Sequence, residues 1–242
     1  MLYHYTTLDA FALILQSKKI RFSRLTNVDD PNEYGYIKEG INPAHYVYVS
    51  CWTYTPDENI PQWKMYANNG HGVRFGLSSN MFYVSKFNGK YLNVFPNDYF
   101  NDKDYYILPI LSLDEFLSDI NYVDYPLNEI DYNIFTTLNG KSAIDFKELG
   151  KYKSADWQFQ KERRYRIYIV PKNNGKIPSD FLRESIIPPV NHIDIPIIED
   201  AFNNMEITLG PYITESEKII ANALINQYIK TPKIKNSVFS NY

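Results

Sequence analysis

The sequence has a single cysteine, Cys51, among 242 residues. One cysteine excludes an internal disulfide framework and a cysteine-based zinc site. No apolar run approaches the roughly 20 residues of a membrane-spanning helix, and no charged-then-apolar leader precedes the first residues. The net charge is only -3, which argues against general attraction to nucleic acid or to a membrane surface. We therefore expect a cytoplasmic protein without a membrane partner.

Several motifs that carry chemistry are also missing. The sequence contains no phosphate-binding loop, no Gly-x-Gly-x-x-Gly, no Gly-x-Ser-x-Gly and no zinc-peptidase motif. One loop is rich in carboxylates, with Asp29, Asp30 and Glu33, but no second acidic cluster has recognisable ligand spacing. We therefore predict no metal, and a metal-dependent nucleic-acid-processing protein built on this loop stays as an alternative.

What the sequence does have is the composition of an ordinary globular protein. Hydrophobic residues make up 44% and charged residues 22%, well away from the disordered class. This length and composition favour one domain over residues 1–242. The 22 tyrosines and 14 phenylalanines offer core volume and also flat surfaces for stacking on aromatic ligands.

The hydrophobic pattern alternates short strands with modest helices, which predicts an α+β domain with a mixed sheet. Helices are predicted at residues 8–17, from Pro61 through Ala67, and from a Thr214/Glu217 capping box to about residue 228. Residues 100–155 are richer in acidic residues and tyrosine and have weak helical signals. This range is predicted to be an insertion or a cap over one end of the sheet.

His4 lies in an apolar, strand-prone stretch at the start of the chain. A histidine in such a place is commonly a core residue bonded to a main-chain carbonyl, and it can also be a ligand-binding residue. Its own stretch does not decide between these two interpretations.

The strand predicted from Glu162 alternates its side chains between two faces. Glu162, Arg164, Arg166 and Tyr168 share one face, which carries an acid and two arginines. One interpretation is a solvated, charge-paired face. The other is the wall of a cleft, in which Arg164 grips phosphate and the carboxylate stabilises a developing cation.

Several short segments, in this order, resemble the bacterial family known as domain of unknown function 2971. They are residues 3–6, 20–23, 30–33, 50–52, 62–67 with 71–73, 153–164 with Trp157 and Glu162, and 209–211. The sequence departs from the family pattern at Asp29, where the family usually has asparagine, and at Gln160, where it often has a second glutamate. The resemblance covers nearly the whole chain and supplies no function by itself.

A second, more distant resemblance does imply a function. An aromatic-His-aromatic-Thr strand, a short helix, a second strand and a late Gln/Glu-x-Glu motif are similar to the ADP-ribosyltransferase superfamily. This resemblance implies a mixed, partly split β-sheet with short helices, with NAD as the substrate. It also implies that His4 and Thr6 anchor NAD, that Glu162 is the catalytic carboxylate, and that Gln160 lies where the acceptor is chosen.

Predicted positions near such a cleft suggest four more residues. Arg21 or Arg24 would hold the pyrophosphate, and Trp63 or Tyr66 would stack on nicotinamide.

The sequence leaves three functions as alternatives. The first is an NAD-consuming enzyme that transfers ADP-ribose to a protein or nucleic acid or hydrolyses NAD, as a toxin or phage-defence effector with an antitoxin or defence partner. The second is a non-catalytic module that binds a nucleotide or a partner protein. The third is the metal-dependent protein built on the acidic loop.

Overall fold

The computed structural model describes residues 1–37, 40–95, 103–124, 126–127, 135–138, 141–179 and 181–240. In these ranges the strands are β1 Leu2–Thr6, β2 Lys19–Arg24, β3 Val47–Thr53, β4 Val73–Leu77, β5 Ser85–Phe87, β6 Tyr91–Asn93, β7 Tyr105–Ile107, β8 Leu117–Asp119, β9 Asn121–Val123, β10 Phe135–Leu138, β11 Lys141–Ile144, β12 Tyr152–Ser154, β13 Glu162–Pro171, β14 His192–Pro196, β15 Glu206–Leu209 and β16 Lys233–Asn236. The α-helices are α1 Leu8–Ser17, α2 Ile60–Tyr66, α3 Leu113–Phe116, α4 Glu199–Asn203 and α5 Glu215–Tyr228. Short 3-10 helices lie at Leu25–Asn27, Pro31–Tyr34, Pro43–Tyr46, Asn68–Gly70 and Ala155–Gln160.

Helix α1 begins and ends where the sequence predicted. The Thr7 side chain caps its first turn by accepting a hydrogen bond from the main-chain nitrogen of Ala10, which satisfies a donor that the helix itself cannot. Phe11 and Leu15 are buried on one face, at helical spacing. Lys18 then adopts the left-handed conformation with φ of 54°, so the chain turns at once into β2.

Among the described residues, the main sheet has ten strands and is mostly antiparallel. Its central path runs β14-β2-β3-β1-β4-β15-β16, and β13 pairs with β3, β7 and β8. Within this sheet β15 and β16 are parallel. The predicted α+β class with a mixed sheet is thus confirmed at this level.

Strand β3 organises the centre of the sheet. Along one edge it pairs with β13, from Glu162 opposite Thr53 to Tyr168 opposite Val47. Along its other edge it pairs with two strands in turn, β2 at Tyr48 and Val49 and β1 at Thr53. Between them, residues 50–52 have no strand partner on this edge in the described part of the chain. The sheet therefore has an opening between β1 and β2.

Gly72, just before β4, allows the chain to pack closely against the end of β1. A Cβ atom at this position would lie 2.1 Å from the carbonyl oxygen of Thr6, so any larger residue would push β1 away.

The range 100–155 contributes directly to the main sheet. Strands β7 and β8 both pair with β13, while β12 pairs with β9 in a separate two-stranded sheet. Residues 100–102, 125, 128–134 and 139–140 of this range lie outside the described residues.

Strand β13 corrects one interpretation of the sequence. The alternation is as predicted, but the face that carries Glu162, Arg164, Arg166 and Tyr168 is not solvated, because each of these residues is at most 4% exposed. Arg166 is bound by main-chain carbonyl oxygens of Glu115, Lys147 and Leu149. Both faces of the strand are thus buried, and its charges are satisfied inside the protein.

Candidate functional site

The opening between β1 and β2 leads to a cavity of about 470 Å³. This is within the range of roughly 300 to 1,000 Å³ that is typical of small-molecule sites. Seven of the nine predicted site residues line it: His4, Thr6, Arg21, Tyr66, Gln160, Glu162 and Arg164. The structure therefore brings the early histidine and the late glutamate to one cavity.

The other two predicted residues lie elsewhere. Trp63 is buried against Tyr5 and donates from its indole nitrogen to Glu58, 2.9 Å away. Arg24 donates to the Tyr48 hydroxyl and to the carbonyl oxygens of Pro188 and Val190. Neither side chain lines the cavity, because each points into packing on another side of its own element.

His4 has features of both interpretations proposed for it. Its ring packs against Trp52 and Phe75, with centroids 5.2 and 5.5 Å away, and its Nδ1 lies 2.9 Å from the carbonyl oxygen of Cys51. A carbonyl only accepts, so Nδ1 carries the proton. Burial lowers the pKa of His4 despite this hydrogen bond. The ring is therefore neutral at pH 7, and its Nε2 is an acceptor for a ligand hydroxyl.

Glu162 lies in a cluster of four charged side chains. Arg164 Nε donates to Glu162 Oε1 over 2.7 Å, and Lys153 Nζ donates to Glu162 Oε2 over 3.1 Å. The same two cations contact Glu33, with Arg164 Nη1 2.5 Å and Lys153 Nζ 3.3 Å from its carboxylate oxygens. We call these four residues the inner cluster. Its two acids and two bases balance in charge.

The inner cluster keeps Glu162 ionised. Burial works against the charged form, but Arg164 and Lys153 outweigh it and hold the pKa of Glu162 at about 2. Conversely, Lys153 is desolvated, and the nearby Glu162 and Glu33 carboxylates still raise its pKa. Glu162, Lys153 and Arg164, whose pKa is also raised, are therefore charged at neutral pH.

Gln160 and Tyr66 continue the hydrogen bonding from the inner cluster along the cavity wall. Gln160 accepts from Lys153 Nζ over 2.8 Å and donates to the Tyr66 hydroxyl over 2.6 Å. Lys161, in the left-handed conformation with φ of 46°, makes the turn that presents both Gln160 and Glu162. Burial, and then the neighbouring Asp29 carboxylate, raises the pKa of Tyr66, so its hydroxyl keeps its proton.

The lone cysteine also lines this wall. Burial raises the pKa of the Cys51 thiol, despite the nearby Arg164. Cys51 is therefore a neutral thiol beside Glu162, without the thiolate that nucleophilic chemistry needs.

The rim of the cavity differs from its inner wall. Arg21 forms a two-pronged ion pair with Asp194, at 2.9 and 3.1 Å, and these side chains are 54% and 38% exposed. Asp29 also lines the cavity and is exposed. We call Arg21 and Asp194 the rim pair.

Sequence reasoning missed Lys153 and the true role of Glu33. Lys153 lies at the start of a segment that resembles the family pattern, but no motif distinguishes a buried lysine from a solvated one. Glu33 was assigned to an acidic loop, whereas its carboxylate binds Arg164 and Lys153. The available signal was that β13 carries two arginines facing one side, which require acidic partners from elsewhere.

The acidic loop does not gather ligands for an ion. Asp30 accepts a hydrogen bond from the main-chain nitrogen of Asn32 and caps a 3-10 helix. Among the described residues, no three His, Cys, Asp or Glu side chains are grouped so that they could hold a metal. In the same part of the chain, no helix has the length and apolar character to cross a membrane.

No protein-family model, curated protein or solved structure matches this chain. The resemblances to domain of unknown function 2971 and to ADP-ribosyltransferases therefore stay predictions.

Proposed function

We propose that this protein has an ADP-ribosyltransferase-like core, binds NAD in the central cavity, and breaks the bond between nicotinamide and ribose. ADP-ribose then passes to a protein or nucleic acid, or to water. The observation that supports this proposal is that His4 and Glu162, far apart in sequence, line one cavity of about 470 Å³.

The chemistry of these two side chains suits the reaction. As nicotinamide leaves, the sugar gains oxocarbenium character, and a fixed carboxylate stabilises that positive charge more than it stabilises the ground state. Glu162 is ionised and held in place by two hydrogen-bonded cations. Because Nδ1 of His4 carries the proton, its Nε2 can accept a hydrogen bond, which suits a ribose hydroxyl.

The rim pair suits the pyrophosphate. Arg21 is more than half exposed, so its guanidinium can exchange Asp194 for a phosphate group at small cost. Arg164 differs, because its donors are committed to Glu33, Glu162 and the carbonyl oxygen of Gly150. Its role in this proposal is to orient Glu162 and not to bind phosphate.

One observation favours a second candidate, a nucleotide-binding module without catalysis. Arg164 and Lys153 already neutralise much of the charge on Glu162, which weakens its effect on a developing cation. This candidate predicts NAD binding with no release of nicotinamide. A toxin or phage-defence role with a partner protein follows only from the enzymatic proposal and from the resemblance.

The test compares NAD binding by calorimetry with nicotinamide release by chromatography. We expect the wild type to bind NAD and release nicotinamide, and Glu162→Gln to bind with similar affinity while release falls about 10²-fold or more. Glu199→Gln makes the same change at an exposed residue of α4 outside the cavity and should behave as wild type. Circular dichroism establishes that each variant is folded.

Three outcomes separate the alternatives. Binding without release by the wild type, in buffer and with a cell lysate, supports the second candidate, and equal release by wild type and Glu162→Gln contradicts the enzymatic one. If NAD does not bind at all, both fail. Incubation with labelled NAD and a cell lysate then shows whether label reaches protein, DNA, RNA or none of these.

His4→Ala tests the other end of the cavity. We expect NAD affinity to fall several-fold, since the variant loses one acceptor, and His4→Asn to retain part of it. Unchanged affinity in His4→Ala would return His4 to the role of a core residue.

A further inference from the structure

Three carboxylates line the cavity, and they differ in what already binds them. Both oxygens of Glu162 accept from cations of the inner cluster, and both oxygens of Asp194 accept from Arg21. Asp29 is exposed and has no ion-pair partner among the described residues. Of the three, it is the carboxylate that no cation in the described part of the chain holds before a ligand enters the cavity.

The proposed reaction requires such a proton acceptor. The attacking acceptor group carries a hydrogen that it must lose as it bonds to the sugar carbon. Glu162 suits this task poorly, because protonating it would leave Arg164 and Lys153 beside a neutral acid in a buried place. Stabilising the sugar cation and accepting the proton therefore call for two different groups.

Tyr66 connects Asp29 to the inner wall. Its hydroxyl oxygen accepts a hydrogen bond from Gln160 over 2.6 Å, so its own hydrogen is available to another acceptor. Asp29 lines the same cavity as Tyr66 and Gln160, and its carboxylate raises the pKa of Tyr66. This arrangement places Asp29 on the wall that carries Gln160, two residues before Glu162.

We infer that Asp29 is the general base of the proposed reaction, a role that rests on the proposed function. The oxygen or nitrogen of the acceptor bonds to the sugar carbon, and the bond from that carbon to nicotinamide breaks. The electron pair of that bond goes to the pyridine nitrogen, which becomes neutral. The proton of the acceptor goes to a carboxylate oxygen of Asp29, which lines the cavity.

The test uses water as the acceptor and measures nicotinamide release from saturating NAD. We expect Asp29→Asn, which keeps the shape and removes the base, to lose about 10²-fold in rate while NAD affinity changes little. Asp114→Asn makes the same change at an exposed residue of α3 outside the cavity and serves as the matched control. In Asp29→Ala, added formate should restore a large part of the lost rate, because it supplies a carboxylate in the space that is left.

The outcomes distinguish this inference from the proposed function. If the wild type releases nicotinamide, Glu162→Gln does not, and Asp29→Asn keeps the wild-type rate, the inference is wrong and the proposed function stands. If the wild type shows no release in water or in the presence of a cell lysate, both are wrong. A slow Asp29→Ala variant that formate does not accelerate also overturns the inference, since the loss then comes from altered structure.

Discussion

The cavity has two sets of arginine-carboxylate pairs that are alike in chemistry and opposite in setting. In the inner cluster Arg164 binds Glu33 and Glu162, with side chains 0%, 0% and 4% exposed. In the rim pair Arg21 binds Asp194, with side chains 54% and 38% exposed. Similar contact distances therefore correspond to very different energies, because water screens the rim and is excluded from the inner wall. The inner wall is fixed, and the rim is able to change partners.

Breaking the inner cluster should give the largest effect. Arg164→Met leaves two buried carboxylates facing Lys153 alone, and we expect the free energy of unfolding to fall by about 3 to 5 kcal/mol. Arg21→Met, the same substitution at the rim, should change it by about 1 kcal/mol or less. Urea unfolding of both variants measures the difference. Equal losses of unfolding free energy in the two variants would contradict the conclusion that the inner cluster stabilises the protein more than the rim pair does.

Acid should weaken the inner cluster in a defined pH range. The folded-state pKa of Glu162 is about 2, below its ordinary value of 4.5, so its contribution to stability is fully present above pH 4.5. That contribution is lost as the pH falls from 4.5 toward 2, and it amounts to about 3 kcal/mol. Urea unfolding across this range should show the decline, and Glu162→Gln should flatten it. A decline of the same slope in this variant would assign the effect to other groups.

Lys153 should be coupled energetically to Glu33 across the cluster. A double-mutant cycle with Lys153→Met and Glu33→Gln should give an interaction energy of about 1 to 3 kcal/mol. The lysine has three protons and contacts three acceptors, on Glu33, Gln160 and Glu162. Each of these contacts therefore accounts for part of what Lys153 contributes to the free energy of unfolding. Purely additive losses would mean that the two residues stabilise the fold independently.

The contrast between the two regions also explains what could be predicted from the sequence. Local elements can be predicted from the sequence. Helix α1 has the predicted bounds, and Thr214 with Glu217 forms the expected capping box of α5. These features depend on neighbours in the chain. The alternation that groups Glu162 with Arg164 was likewise correct, because the period of a strand is local.

Burial of the inner cluster cannot be predicted from the sequence in the same way. It depends on Glu33 from the 3-10 helix Pro31–Tyr34 and on Lys153 from β12, which reach β13 only through the fold. Arg21 and Arg24 show the same limit at close range. They lie three residues apart on β2, so alternation puts them on opposite faces, and Arg21 reaches the cavity while Arg24 is bound by the carbonyl oxygens of Pro188 and Val190. Alternation separates the two arginines but does not say which face of the strand has the cavity.

The smallest effect should come from the rim pair itself. A double-mutant cycle with Arg21→Met and Asp194→Asn should give an interaction energy of about 0 to 1 kcal/mol, and this should shrink in high salt because both side chains are solvated. The two single variants should nevertheless differ in NAD affinity. Arg21→Met loses a cation that binds phosphate, whereas Asp194→Asn frees that cation, so we expect weaker binding in the first and equal or tighter binding in the second. Calorimetry at low and high salt measures both. Equal weakening in the two variants would mean that the intact pair, and not the free guanidinium, is what the ligand requires, and the rim would then be as fixed as the inner wall.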